Sequence, residues 1–327
     1  MRFFFILLLS LAVAAAGAGY LWVNQPFDLA AESVDVSVEP GMNAREVAAT
    51  VAQAGVPVNP LLLHAWFRLS GQSRQIRAGS YELDRAATPA SLLQKLVRGE
   101  EALRSVTLVE GWTFRQVRDA LKKAEQLKPD SQALSPNDIM AQLGQPGVPA
   151  EGHFFPDTYT YSKGASDLAV LKRAMGAMDK RLAAAWAQRD PKSPLTGPEQ
   201  ALILASIVEK ETGAPSDRPT ISAVFNNRLT IGMRLQTDPT VIYGLGEAFD
   251  GNLRKKDLLA DTPWNTYTRA GLPPTPIAMP GKASLLAAVQ PAPSKALYFV
   301  AKGDGSSHFS TTLDEHNRAV NKYQRGQ

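Results

Sequence analysis

The chain has 327 residues, enough for about two domains of ordinary size. Hydrophobic residues make up 44% and charged residues 20%, which excludes a disordered chain. The net charge of +4 comes without a run of Lys and Arg, so nucleic acid is not an expected partner. With no cysteine, disulfides, thiolate zinc sites and Cys nucleophiles are all excluded. The four histidines, His64, His153, His308 and His316, are scattered. None sits in an HExxH-type spacing, so neither a metal nor a cofactor is expected.

The first element is an uncharged run from Phe3 to Val23, long enough to span a bilayer at about 1.5 Å per residue. Arg2 and the amino terminus place positive charge before it, which predicts translocation of the rest of the chain. A cleaved signal peptide is the competing reading, because Ala12-Val13-Ala14 and the Ala/Gly stretch after it resemble a cleavage region. Tyr20-Leu-Trp-Val23 carries the apolar run past those small residues, and aromatics there suit a membrane interface. The expectation is therefore an uncleaved anchor over 1–24.

Asn24 to Glu32 reads as a linker. Ser33 to Glu39 alternates apolar and polar, a strand pattern. Pro40-Gly41 turns the chain, Asn43 caps a helix over 44–54, and 57–70 reads as a second helix. Tyr81 to Leu83 reads as strand. Thr88 caps a helix with Pro89 in its first turn, running to Arg98 and closed by Gly99. Ser105 to Gly111 is a strand into a turn, and Thr113 caps a helix from Phe114 to about Glu125. The strand, glycine turn and helix recur in this half of the chain, and the unit resembles a LysM-type carbohydrate-binding module. A structural spacer is the plain alternative. A module over 28–147 is the resulting expectation.

Lys128 to Ala150 is polar and rich in Pro and Gly, a boundary or long connection. A second unit is expected over 148–327. It opens with Glu151-Gly-His-Phe-Phe-Pro-Asp-Thr-Tyr159 and continues with a long helix from Asp167 to Gln188. Thr196-Gly-Pro-Glu199 reads as a capping box for a helix over Gln200 to Thr212. Helices and strands do not alternate as βαβ units, so the fold class is α+β, with a membrane anchor, a small module and a mixed second domain.

The 200–212 helix is almost wholly apolar and ends in Glu209 and Glu211. At about 100° per residue, Leu204, Ile207, Val208 and Glu211 share one stripe, and Glu209 points elsewhere. A carboxyl on an apolar stripe has its pKa raised by desolvation and can hold a proton near neutral pH, as a general acid must. The alternative is that both glutamates mark the solvent end of a core helix.

Beyond it lie a helix over 218–228 and loops rich in amides, hydroxyls and aromatics. Ala205-Ser-Ile-Val-Glu-Lys-Glu-Thr212, Arg234-Leu-Gln-Thr-Asp-Pro-Thr-Val-Ile-Tyr243, Asn265-Thr-Tyr267 and Gly271-Leu-Pro-Pro274 together resemble the MltG/YceG family of membrane-anchored endolytic murein transglycosylases. The resemblance extends to Phe155-Pro-Asp-Thr-Tyr159 and the His316-Asn317 tail. It implies cleavage of the β-1,4 bond between MurNAc and GlcNAc within peptidoglycan glycan strands, leaving 1,6-anhydroMurNAc ends, on the outer side of the cytoplasmic membrane. It also implies work alongside peptidoglycan synthases, ending nascent strands. The family's catalytic glutamate carries over to Glu211. Gln236, Thr237, Asp238, Asn265 and Tyr267 lie in its motifs and are the candidate substrate contacts, with loop architecture as their alternative role. Glu209, Asp157 and Asp238 are candidates for a second carboxylate, with Asp238 read as a turn residue before Pro239. Rival readings are a lysozyme-like hydrolase and a non-catalytic, membrane-tethered glycan-binding scaffold.

Overall fold

A computed structural model describes residues 2–326. The amino terminus and the Arg2 side chain, expected to orient the anchor, lie outside the described residues. The chain forms two compact units. The first comprises Met1–Arg104 with Thr160–Gly164, and the second Ser105–Tyr159 with Ala165–Gln327. The sequence reading divides the chain at 147/148 instead.

In the first unit α1 (Arg2–Asn24) is a single helix, long and apolar enough to cross a membrane from Phe3 to Asn24. β1 (Ser33–Val38) pairs antiparallel with β2 (Gly79–Asp84), in a register that sets Val36 opposite Tyr81. Alternation along β1 buries Val36 and Val38. α2 (Ala44–Gln53) starts at Asn43, whose side chain accepts from Arg45 and Glu46 N–H. α3 (Pro60–Leu69) starts at Asn59, three residues later than the sequence suggests, because Asn59 caps it and Pro60 fits its first turn. α4 (Pro89–Arg98) ends at Gly99 with φ of +71°, the left-handed closure that glycine permits. Val36, Val47, Leu63, Phe67, Tyr81, Leu92 and Leu96 form one buried core.

β3 (Leu103–Thr107) and β4 (Thr158–Ser162) form a second two-stranded sheet. In the second unit α5 (Phe114–Lys123) follows a Thr113 cap. The 128–150 segment, expected as a connection, contains α6 (Pro136–Gln142) with Ser135 as cap. It is tied down by the buried Asp167 carboxylate, which accepts from Ser131 N at 2.9 Å and Ser131 Oγ at 2.6 Å. α7 (Asp167–Trp186) leads to α8 (Pro198–Glu211), which packs against α7, α9 (Arg218–Thr230), α10 (Asp238–Leu245) and α12 (Lys282–Val289). Between α10 and α12 lies the short α11 (Lys255–Leu259). β5 (Tyr298–Ala301) pairs antiparallel with β6 (Ser307–Ser310), and α13 (Leu313–Val320) follows.

The capping box read at Thr196 and Glu199 does not form. Gly197 is the extended residue before α8 and makes no side-chain cap, while Thr196 N–H donates to Gln200 Oε1 at 2.9 Å. Pro198 opens the helix, as its fixed φ favours.

Candidate active site

α8 is surrounded on four sides, so every residue from Ala201 to Val208 is buried. A single apolar stripe therefore does not distinguish the two glutamates; their partners do. Glu209 is spent on structure. Its Oε2 accepts from Gly281 N at 2.9 Å, and Arg218 approaches its other oxygen at 3.9 Å. It is not the solvent-facing helix end that the plain reading implies, since its side chain is only 8% exposed.

Glu211 opens instead into a cavity of about 640 Å³ lined by Arg228, Gln236, Asp238, Tyr267, Tyr298 and His316, among others. The Thr237 hydroxyl donates to Glu211 Oε1. Burial raises the Glu211 pKa above the ordinary glutamate value, and the Asp238 carboxylate pushes the same way. The Thr237 hydrogen bond and the Arg228 guanidinium oppose it. Burial is the largest of these effects, so the net shift favours the protonated carboxyl.

Local structure explains why these groups converge. Gln236 has φ of +47°, a left-handed conformation uncommon outside glycine, and its N–H donates to Thr266 O at 3.2 Å. The bend puts Thr237 just before α10. Thr237 holds the N-cap position, yet its side chain caps nothing, because the hydroxyl serves Glu211. Its backbone N–H is taken by Thr266 Oγ1 at 3.1 Å, and Thr266 also bonds Thr240 Oγ1 at 2.8 Å. Asp238 is the first residue of α10, not a loop turn residue. Pro239 favours helix in the first turn. The Asp238 carboxylate accepts from Tyr267 Oη at 2.6 Å.

Four of the five candidate contacts are thus brought together. Gln236, Asp238 and Tyr267 line the cavity, and Thr237 touches the acid. Asn265 does not reach it. It is fully buried, its Nδ2 donates to the carbonyls of Leu258 at 3.0 Å and Ala260 at 2.6 Å, and its Oδ1 accepts from Tyr267 N at 2.8 Å. Its task is to shape the loop that carries Tyr267. Asp157 is exposed and does not line the cavity.

Sequence reasoning assigned no role to Arg228, Tyr298 and His316. Arg228 is anchored by Nε to Leu297 O at 2.7 Å and Nη1 to Leu235 O at 2.5 Å, and lies 5.3 Å from the Tyr298 ring centre. Tyr298 stacks on His316 at 5.3 Å. One signal was available. Ile221, Val224 and Arg228 fall on one helical face, and a lone Arg on an apolar face needs a purpose.

Beside this cavity is another of about 650 Å³, lined by Arg115, Glu151, Lys210, Tyr243, Phe249 and Trp264 among others. Glu151 accepts from Phe114 N with both oxygens, at 3.0 and 3.1 Å, and from Tyr243 Oη at 3.2 Å. Burial nevertheless lifts its pKa to about 7.

A mixed α+β unit thus presents the desolvated Glu211 carboxyl to a cavity lined by aromatic, amide and charged side chains. The chain belongs to the YceG-like family, whose profile matches residues 36–322. It is 30% identical over 308 residues to the endolytic murein transglycosylase of Bacillus subtilis (strain 168), covering 89% of this chain and 85% of that protein. It is 26% identical over 356 residues to the endolytic murein transglycosylase of Streptococcus pneumoniae serotype 2, covering 97% of this chain but 64% of the longer relative. The crystal structure of a YceG-like protein of Listeria monocytogenes superposes with a TM-score of 0.58 at 30% identity, covering 88% of this chain and 99% of that one.

Proposed function

We propose that the chain is an endolytic lytic transglycosylase, cleaving the β-1,4 MurNAc–GlcNAc bond inside peptidoglycan glycan strands. The observation that carries this reading is the Glu211 carboxyl, desolvated and held by Thr237 at the wall of the cavity. Protonated Glu211 gives its proton to the glycosidic oxygen as the C1–O bond breaks and the leaving sugar departs. The C6 hydroxyl of the same MurNAc attacks C1, and the Glu211 carboxylate takes the proton that the hydroxyl loses. The product is a 1,6-anhydro ring, no water is consumed, and Glu211 ends as it began. An internal nucleophile has a high effective concentration, which is how water loses the competition.

A second free carboxylate is not needed for this step, whereas most glycoside hydrolases use two. Asp238 lines the same cavity but one oxygen is engaged by Tyr267. Gln236, Asp238, Tyr267 and Arg228 serve as sugar contacts, and Thr237 orients the acid. In this reading α1 anchors the enzyme as a single pass with the bulk of the chain on the outer side of the cytoplasmic membrane. There it acts alongside peptidoglycan synthases and ends nascent strands.

The test is muropeptide mass analysis of purified glycan strands digested with wild type and Glu211→Gln. Wild type releases anhydro ends, one water lighter than reducing ends, and the variant loses about 10²- to 10⁴-fold in rate, the usual share of general acid–base catalysis. Wild-type products with reducing ends would assign a hydrolase. Undiminished anhydro-muropeptide release by Glu211→Gln would remove Glu211 from catalysis.

A further inference from the structure

Outside α1, exposed large hydrophobic side chains of the first unit concentrate on α3: Leu61 is 64% exposed, Leu62 54% and Leu69 85%. The opposite face of α3 is already used, with Leu63 and Phe67 fully buried in the module core. α3 therefore has two apolar faces, and a water-exposed helix of a small module needs only one.

The uncovered face does not look into open solvent alone. Leu62, Ala65, Trp66 and Leu69, spaced as one helical stripe, line a groove of about 470 Å³ whose other wall is α1, through Ala15, Gly19 and Val23 among others. α1 is not loosely tethered to this module. Val23 is buried, Trp22 packs on the module core, and Phe27 N donates to Ala87 O at 2.8 Å. The module is thus held against the last turns of the anchor.

Helix length then decides the environment of the groove. Phe3 to Ala15 provides about 18 Å of helix at about 1.5 Å per residue, while a hydrocarbon core is about 30 Å thick. The missing 12 Å or so must come from the part of α1 that lines the groove. Residues 15–22 therefore lie within the outer part of the hydrocarbon, and the stripe of α3 beside them lies there too.

We infer that α3 is a membrane-immersed element, its Leu61–Leu62–Leu69 face set among the acyl chains of the bilayer that α1 crosses. Trp66 sits with Tyr20 and Trp22 at the groove, aromatic residues of the kind that concentrate at membrane interfaces. The inference rests on α1 spanning the bilayer and is independent of the chemistry at Glu211.

The absence of cysteine makes the test clean in the full-length chain. Leu62→Cys and Leu69→Cys are each labelled with an environment-sensitive NBD probe and reconstituted in phosphatidylcholine/phosphatidylglycerol vesicles. Leu11→Cys in α1 and Ser37→Cys on the exposed face of β1 serve as references. The Leu62 and Leu69 probes are expected to emit blue-shifted light and to be quenched by doxyl-labelled acyl chains several-fold more than the Ser37 probe. Quenching by aqueous iodide equal to that at Ser37 would overturn the inference. So would a blue-shifted probe insensitive to doxyl lipids, which would mean a protein surface covers α3. If the Leu11 probe also escapes lipid quenching, the anchor reading fails and the inference with it. Lipid quenching at Leu11 without quenching at Leu62 or Leu69 would overturn the α3 placement alone.

Discussion

At Glu211, burial raises the carboxyl pKa while the Thr237 hydroxyl, donating to the same carboxyl, draws it back. A donor to the ionised form favours that form, so Thr237→Val removes the opposing effect and leaves the acid weaker still. The alkaline limb of the pH–rate profile, where Glu211 loses the proton it must donate, is expected to move to higher pH. The maximal rate should fall about tenfold for the loss of one charge-assisted hydrogen bond. An unmoved limb would show that Thr237 does not act on Glu211. Glu151 makes the second residue-scale case. Its folded-state pKa of about 7 lies above the ordinary 4.5, so the folded chain binds the extra proton in that window. Stability falls as pH rises from about 4.5 to 7, and above 7 the full cost of ionising Glu151 is present, roughly 3 kcal/mol at most. Glu151→Gln should flatten the slope of unfolding midpoint against pH in that window; an unchanged slope would place the titration elsewhere.

Among the elements, α8 shows how much of the site lay in sequence. An apolar helix ending in two carboxyls was legible, and so was the desolvation of Glu211. The helix-face reason for setting Glu211 apart from Glu209 does not survive packing. The helix is buried all round from Ala201 to Val208, so partners rather than a stripe separate Glu209 from Glu211. α10 was not legible as a helix. Its cap position is filled by Thr237, whose side chain is diverted to a residue 26 positions away in sequence, and no local pattern records that. Connecting loops are equally exacting. Gly152 has φ of +84°, and a Cβ there would meet the Pro276 ring at 2.4 Å. Gly152→Ala thus combines backbone strain with a clash against a rigid ring, and should cost roughly 2 kcal/mol or more. The urea midpoint reads this; a loss under about 0.5 kcal/mol would show that the 151–157 turn relaxes freely.

For the whole molecule, the sequence left two fates for the N-terminal run, cleaved signal or retained anchor. α1 runs unbroken past the Ala/Gly stretch to Asn24, and Trp22, Val23, Phe27 and Leu29 join the first unit's packing. Cleavage near residue 17 would leave a helix stub ending on that core. Intact-mass and N-terminal analysis of protein extracted from membranes should therefore find a chain beginning before α1. A mature start near residue 17 would remove the span. The compact units, by contrast, were only partly legible. The 128–150 segment is polar and rich in turn residues, yet buried Asp167 ties it into the second unit, which composition does not reveal.

By itself the sequence determined the long apolar N-terminal helix, the helix caps at Asn43, Thr88 and Thr113, the α+β class and the acid-ended helix. Each depends on periodicity or on neighbours a few residues apart, and such signals are local. Only the tertiary structure decided that Glu209 is bound to Gly281 while Glu211 opens to a cavity, that Asn265 is a buried loop brace, and that Arg228 faces the acid. The two glutamates part because of partners tens of residues distant, Gly281 and Thr237, which meet them only once α8, α10 and α12 have packed. Asn265 is bound by near neighbours in its own loop, but in a folded conformation that no local sequence pattern records.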